Sequence, residues 1–106
     1  MRSKEQFTIL LVEAITKFGV EKQLAQCMEE CAELITAILK YNRYMTQTKE
    51  IDRDSVIVTK LIDNIKEERI DVSIMTQQLD LMFNVTDEEF TVIHNKKLDK
   101  LQTYLN

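Results

Sequence analysis

Apolar residues recur at intervals of three and four along nearly the whole chain, and nowhere is there a sustained alternation at two. That is the period of α-helix rather than of strand. With one glycine and no proline among 106 residues, the punctuation that strands and tight turns need is almost missing. The pattern predicts an all-α, four-helix-bundle-like chain forming one domain over residues 1–106. Helix 1 begins at Ser3, where "SKEQ" has the form of a capping box, and ends near Gly19, the one residue with easy access to a left-handed C-cap. Helix 2 runs from about Val20 to Met45. The polar stretch "TQTKEIDRD", Thr46 to Asp54, is the loop, with Asp52 or Asp54 as cap for helix 3 from Ser55 to Phe83. "TDEE" at Thr86 is a second capping box and starts helix 4, from Asp87 to Leu105, with acids in its first turn where the helix dipole favours them.

Placing residues at about 100° each gives helix 2 a main stripe of Leu24, Cys27, Met28, Cys31, Leu34, Ile35 and Ile38. Glu30 falls at the border of this stripe, near Ala37 and Tyr41, and Glu33 one step further round, near Gln26. Helix 3 has a stripe of Leu61, Ile65, Val72, Met75 and Leu79 that contains Glu68, with Asn64 and Asp71 along its edge. A carboxylate inside an apolar stripe is costly to bury, so it must be protonated, paired, hydrated or bound to a cation. Helix 3 also has Ile70, Ile74 and Leu81 on the side away from that stripe. A helix apolar on two faces is sandwiched between partners, which predicts a homo-oligomer: a dimer on helix 3 and its neighbours, or a dimer of dimers. The competing account is a compact monomer that folds helix 1 or helix 4 over the second face.

Charge narrows the function classes. Fourteen Lys and Arg against 18 Asp and Glu give a net −4, with no basic run to track a phosphate backbone, which argues against a nucleic-acid binder. Free nucleotides stay open, because a metal neutralises their phosphates. No apolar run has spanning length and no leader-like segment opens the chain, so the expectation is a cytoplasmic protein without membrane contact. Cys27 and Cys31, four apart on one helix face, read as packing. Two thiols without a further Cys or His pair do not make a structural metal site. His94 is the lone histidine and has no second E-x-x-H or Ser-His-Asp arrangement around it, which disfavours a di-iron bundle or a hydrolytic triad. Of the aromatics, Phe18, Tyr41, Tyr44 and Phe90 are expected mostly in the core, with a base-stacking platform as the functional alternative.

Glu30-Cys31-Ala32-Glu33 reads as E-x-x-E and Glu68-Arg69-Ile70-Asp71 as E-x-x-D, each followed by aliphatic helix, "LITAIL" and "VSIMTQQL". The pair, in order on consecutive long helices, resembles the MazG-like all-α nucleoside triphosphate pyrophosphohydrolases, particularly the short phage and Gram-positive members. The resemblance implies that Glu30, Glu33, Glu68 and Asp71 bind Mg²⁺, with Mn²⁺ a substitute. It also implies that a (deoxy)nucleoside triphosphate is cut to monophosphate and pyrophosphate by water attacking the α-phosphate. Spacing agrees: residues three apart project to neighbouring positions, so two packed helices can gather four carboxylates whose repulsion a hard divalent cation relieves. Lys97, Lys100 and Asn64 are the candidates for substrate contact. Glu29 and Glu67, which precede the motifs, either support the metal ligands or face solvent, and solvent is the favoured reading. The chain departs from the resemblance where many relatives carry an asparagine on the last helix, for Leu101 stands there, and in having Arg69 and Ile70 between the acids of the second motif. The alternative function is a catalytically degraded helical module that binds a partner or senses nucleotide.

Overall fold

The computed structural model describes all residues, 1–106, as four α-helices and one short 3₁₀ turn without strands: α1 (Lys4–Phe18), α2 (Val20–Gln47), the turn Glu50–Asp52, α3 (Ser55–Met82) and α4 (Asp87–Leu105). The all-α expectation holds. No helix is long and apolar enough to cross a membrane.

Local chemistry explains most boundaries. The Ser3 hydroxyl accepts from the Gln6 backbone N–H at 3.1 Å while the Gln6 carboxamide accepts from the Ser3 N–H at 2.8 Å, a complete capping box. Gly19 closes α1 as expected, but at φ 87° and ψ 157° it lies in a region essentially reserved for glycine, not in the left-handed helical well. Asp54, rather than Asp52, caps α3, accepting from the Val56 N–H at 2.8 Å. Helix α3 stops where Asn84 takes a left-handed conformation, φ 52°, and the Val85 N–H reaches back to the Asp80 carbonyl at 2.9 Å, the Schellman closure that asparagine tolerates. At α4 only half of the second capping box forms. Thr86 accepts from the Glu89 N–H at 3.1 Å, but the Glu89 carboxylate takes the Thr86 hydroxyl instead of its backbone N–H.

The scaffold is the hairpin of α2 and α3, two 28-residue helices, each about 42 Å long at 1.5 Å per residue. Their turn is clamped by side chains. Arg53 donates to the Thr48 and Met45 carbonyls at 3.2 and 3.0 Å, satisfying acceptors at the frayed end of α2, and the Tyr44 hydroxyl accepts from the Asp54 N–H at 2.8 Å. Ala37, 1% exposed, sits where a small side chain lets the helices approach. Helix α1 packs across both partners through Leu11.

The inner face of α2 differs from the expected stripe. Gln23, Cys27, Glu30, Leu34, Ala37, Tyr41 and Tyr44 are buried or half-buried, whereas Met28, Ile35 and Ile38 are exposed. The helix is rotated so that Glu30 faces inward rather than standing at a border. On α3 the expected stripe holds: Leu61, Ile65, Glu68, Val72 and Leu79 are half-buried and Met75 buried. Its second face is covered only in part: Ile74 is half-buried and Leu81 lies beside Phe7 and Leu11 of α1, whereas Ile70 is exposed. Phe18 and Phe90 do not join the core; both are about half exposed, and Phe90 stacks on His94 with ring centroids 5.2 Å apart. Burial raises the Cys27 thiol above its ordinary 9.0, reinforced by the neighbouring Cys31 thiol, so Cys27 stays a protonated packing residue.

Replacing Ala37 with Leu should force the hairpin apart and cost about 1–3 kcal/mol of stability, read as a lower urea midpoint. Leu at exposed position 28 should leave the midpoint unchanged. A midpoint unaffected by Ala37→Leu would show that α2 and α3 do not meet closely there.

Candidate metal centre

The α2–α3 hairpin sets Glu30 opposite Glu68 and Asp71. One carboxylate oxygen from each of the three lies within 4.8 Å of the other two. Glu30 and Glu68 are half-buried between the helices and Asp71 is exposed at the rim. Glu33, one turn beyond Glu30, completes the group from the solvent side. The negative charges of Glu30 and then Glu68 raise its carboxyl above the ordinary 4.5, with some desolvation adding to the effect. Three of the four motif acids therefore form one group across the two helices, with Glu33 beside Glu30 and Glu68.

Two atoms in this group ask for a ligand. Glu30 Oε2 and Glu68 Oε2 are both buried and both without a hydrogen-bond partner. Arg69, exposed on α3, leaves them unpaired. A buried carboxylate oxygen with neither donor nor cation is strongly disfavoured, since desolvation costs far more than an unmade neutral hydrogen bond. The donor set is all oxygen and formally −4, which suits a hard divalent ion and not a thiophilic one. Oxygens bound to one octahedral Mg²⁺ stand roughly 3.0 Å apart when adjacent and roughly 4.2 Å when opposite, given metal–oxygen distances of about 2.1 Å. The observed spread needs only small side-chain adjustment to match that, so the residues fit the ion.

Gln26 was not singled out by sequence. Its Nε2 donates to Glu30 Oε1 at 2.8 Å and fixes one oxygen of that carboxylate while the other stays free. The signal was present in the four-residue spacing from Gln26 to Glu30. Gln23 and Gln78, 8% and 4% exposed, are further polar residues between the helices, and Gln78 Oε1 is also unpartnered. Gln23 lies two turns before Glu30, visible only once α2 is centred on Glu30 instead of on the Leu24–Ile38 stripe.

Other expected site residues divide. Asn64 is half-buried on α3 one turn before Glu68, on the same side as the acids. Lys97 and Lys100 are exposed on α4, which does not pack along α2 or α3, so one chain does not bring them to the carboxylates. Glu29 and Glu67 face solvent, as expected. The main surface clefts lie elsewhere; one of about 270 Å³ is lined by Phe7, Leu11, Gln77, Leu81 and Val85 where α1 meets the end of α3.

Because the Glu33 carboxyl is raised, the native state holds its proton more tightly than the unfolded chain does. Metal-free stability should therefore fall as pH rises from the ordinary Glu value through the raised one. Mg²⁺ should counter this, raising the Tm more at about pH 7.5 than at about pH 4.5, and Glu33→Gln should raise the metal-free Tm at the higher pH. Equal Mg²⁺ shifts at both pH values, seen by differential scanning fluorimetry, would mean that the carboxylates do not bind the ion.

Comparison of the chain with protein-family models, with curated proteins and with solved structures finds no match.

Proposed function

We propose that the chain is a Mg²⁺-dependent nucleoside triphosphate pyrophosphohydrolase, releasing pyrophosphate and the monophosphate from a ribo- or deoxyribonucleoside triphosphate, for clean-up or control of the nucleotide pool. One observation supports this above others: two acidic motifs far apart in sequence meet across one helix pair, with an unpartnered buried oxygen contributed from each side. A purely structural hairpin gains nothing from that arrangement, which costs it desolvation and like-charge repulsion.

Glu30, Glu33, Glu68 and Asp71 would hold Mg²⁺, or Mn²⁺ in its place. When bound, such an ion neutralises phosphate charge and lowers the pKa of a coordinated water. The remaining chemistry belongs to the chain. The rigid hairpin fixes the carboxylates before substrate arrives, so little reorganisation is needed on binding. Gln26 holds Glu30 in one orientation and leaves Oε2 free. A carboxylate of the group accepts the proton of the water that attacks the α-phosphate, and pyrophosphate departs. The exposed rim formed by Asp71 and Glu33 leaves the cluster open to a large anionic substrate.

Pyrophosphate release should be measured with each of the eight common NTPs and dNTPs, with and without Mg²⁺. The expected result is metal-dependent release from at least one nucleotide, reduced by about 100-fold or more in Glu68→Gln, beyond the 10–100-fold typical for residues that only support a ligand. Circular dichroism should show the fold of the variant retained. No release from any nucleotide with Mg²⁺ or Mn²⁺ would move the assignment to the degraded, partner-binding module.

A further inference from the structure

On both long helices the edge that carries the rim acids continues toward the closed end of the hairpin. At about 100° per residue, Glu33 and Lys40 on α2 differ by only about 20° round the helix, and so do Asp71 and Asn64 on α3. Each pair is seven residues apart, about 10.5 Å of helix axis at 1.5 Å per residue. Because α2 and α3 form a hairpin, moving up one helix and down the other follows a single edge away from the carboxylates. Half-buried Asn64 lies on it, one turn from Glu68. Beyond Asn64 the edge opens into a cavity of about 330 Å³ lined by Lys40, Arg43, Tyr44, Gln47, Ile57 and Leu61.

This cavity has the opposite charge to the centre beside it. Its lining has two cations, Lys40 and Arg43, and no acid, in a chain whose net charge is −4. Helical side chains lean toward the helix N-terminus, so exposed Lys40 reaches back along the edge toward Glu33. Next to a group of carboxylates suited to a divalent ion, two such cations fit an anion that outruns the ion: the nearer phosphates are neutralised at the acids, and the far one needs donors from the chain. A base is a poorer occupant. The one aromatic lining residue, Tyr44, is half-buried and its hydroxyl accepts from the Asp54 N–H at 2.8 Å, so it is part of the wall of the turn and not a free stacking platform. Unlike the lysines of α4, Lys40 and Arg43 are held in line with the acids by the hairpin itself.

We propose that Lys40 and Arg43 bind the terminal phosphate of the substrate, so that the triphosphate lies along the α2–α3 edge with its nucleoside end directed away from the hairpin turn. The assignment rests on the reading of the carboxylates as a nucleotide-cleaving metal centre, and it adds a length requirement. Three linked phosphates reach from the acids to the cations, and two do not.

The test is calorimetric titration of the full chain, in excess Mg²⁺, with inorganic tripolyphosphate and with inorganic pyrophosphate. Wild type is compared with Lys40→Gln, Arg43→Gln together and with a control of equal charge change, Lys66→Gln with Lys96→Gln. All four residues are exposed, so helix content by circular dichroism should be unchanged. Tripolyphosphate should bind the groove variant at least 10-fold more weakly, as expected for losing two charge-assisted hydrogen bonds, while its pyrophosphate affinity and both affinities of the control stay within about 2-fold of wild type. Unchanged tripolyphosphate affinity in the groove variant, an equal loss in the control, or no tripolyphosphate binding by wild type overturns the proposal. A groove variant that binds a nucleoside triphosphate more weakly but tripolyphosphate normally places the base in the cavity, and overturns it too. Nucleotide cleavage with an unaffected groove variant removes the phosphate assignment alone. The expected tripolyphosphate result in a protein that cleaves no nucleotide removes the pyrophosphohydrolase reading and leaves Lys40 and Arg43 as a polyphosphate site.

Discussion

Two carboxylate oxygens, one from each long helix, are held out of water at the α2–α3 contact without a donor to meet them. This arrangement is electrostatically unfavourable, and the rest of the hairpin, which fixes the register of the two helices, holds it in place. Ala37 allows close approach, Arg53 and Tyr44 lock the turn, and Met75 and Cys27 supply the buried apolar contact near the acids. The stability of the hairpin therefore holds together charges that would otherwise separate.

The same geometry accounts for what surrounds the cluster. Glu33 stands at the solvent edge, where it feels both neighbours' charges yet remains accessible, and Gln26 uses one turn of helix to orient Glu30. Carboxylates pre-placed on rigid helices need less reordering to bind a cation than carboxylates on loops, so a frame with so small a buried core can still present a defined site. That core is thin: only Leu11, Cys27, Ala37 and Met75 are buried apolar residues. Burial on this scale is meagre for 106 residues.

Helix α4 makes the division of labour plain. Its capping at Thr86, its acidic first turn and its single apolar face define a good helix, but none of those features attaches it to α1, α2 or α3. Lys97 and Lys100 are thereby separated from the acids of their own chain.

Much of this was legible in sequence. Capping chemistry at Ser3, Asp54 and Thr86 and the lone Gly19 located the helices, because such signals are local and act within one turn. Glu68 stood out because α3 has an unambiguous apolar stripe around it. The rotation of α2 was not legible, for the helix is apolar on two sides and its sequence is consistent with either facing inward. Close packing at Ala37 chose the side, turning Glu30 inward and Met28, Ile35 and Leu39 outward. The sequence by itself determined which segments are helical and which acids share a helix face, since both follow from backbone period and nearest-neighbour chemistry. Only the tertiary structure decided that the two acid pairs meet while the lysines of α4 do not, because the meeting of distant residues depends on how whole helices pack.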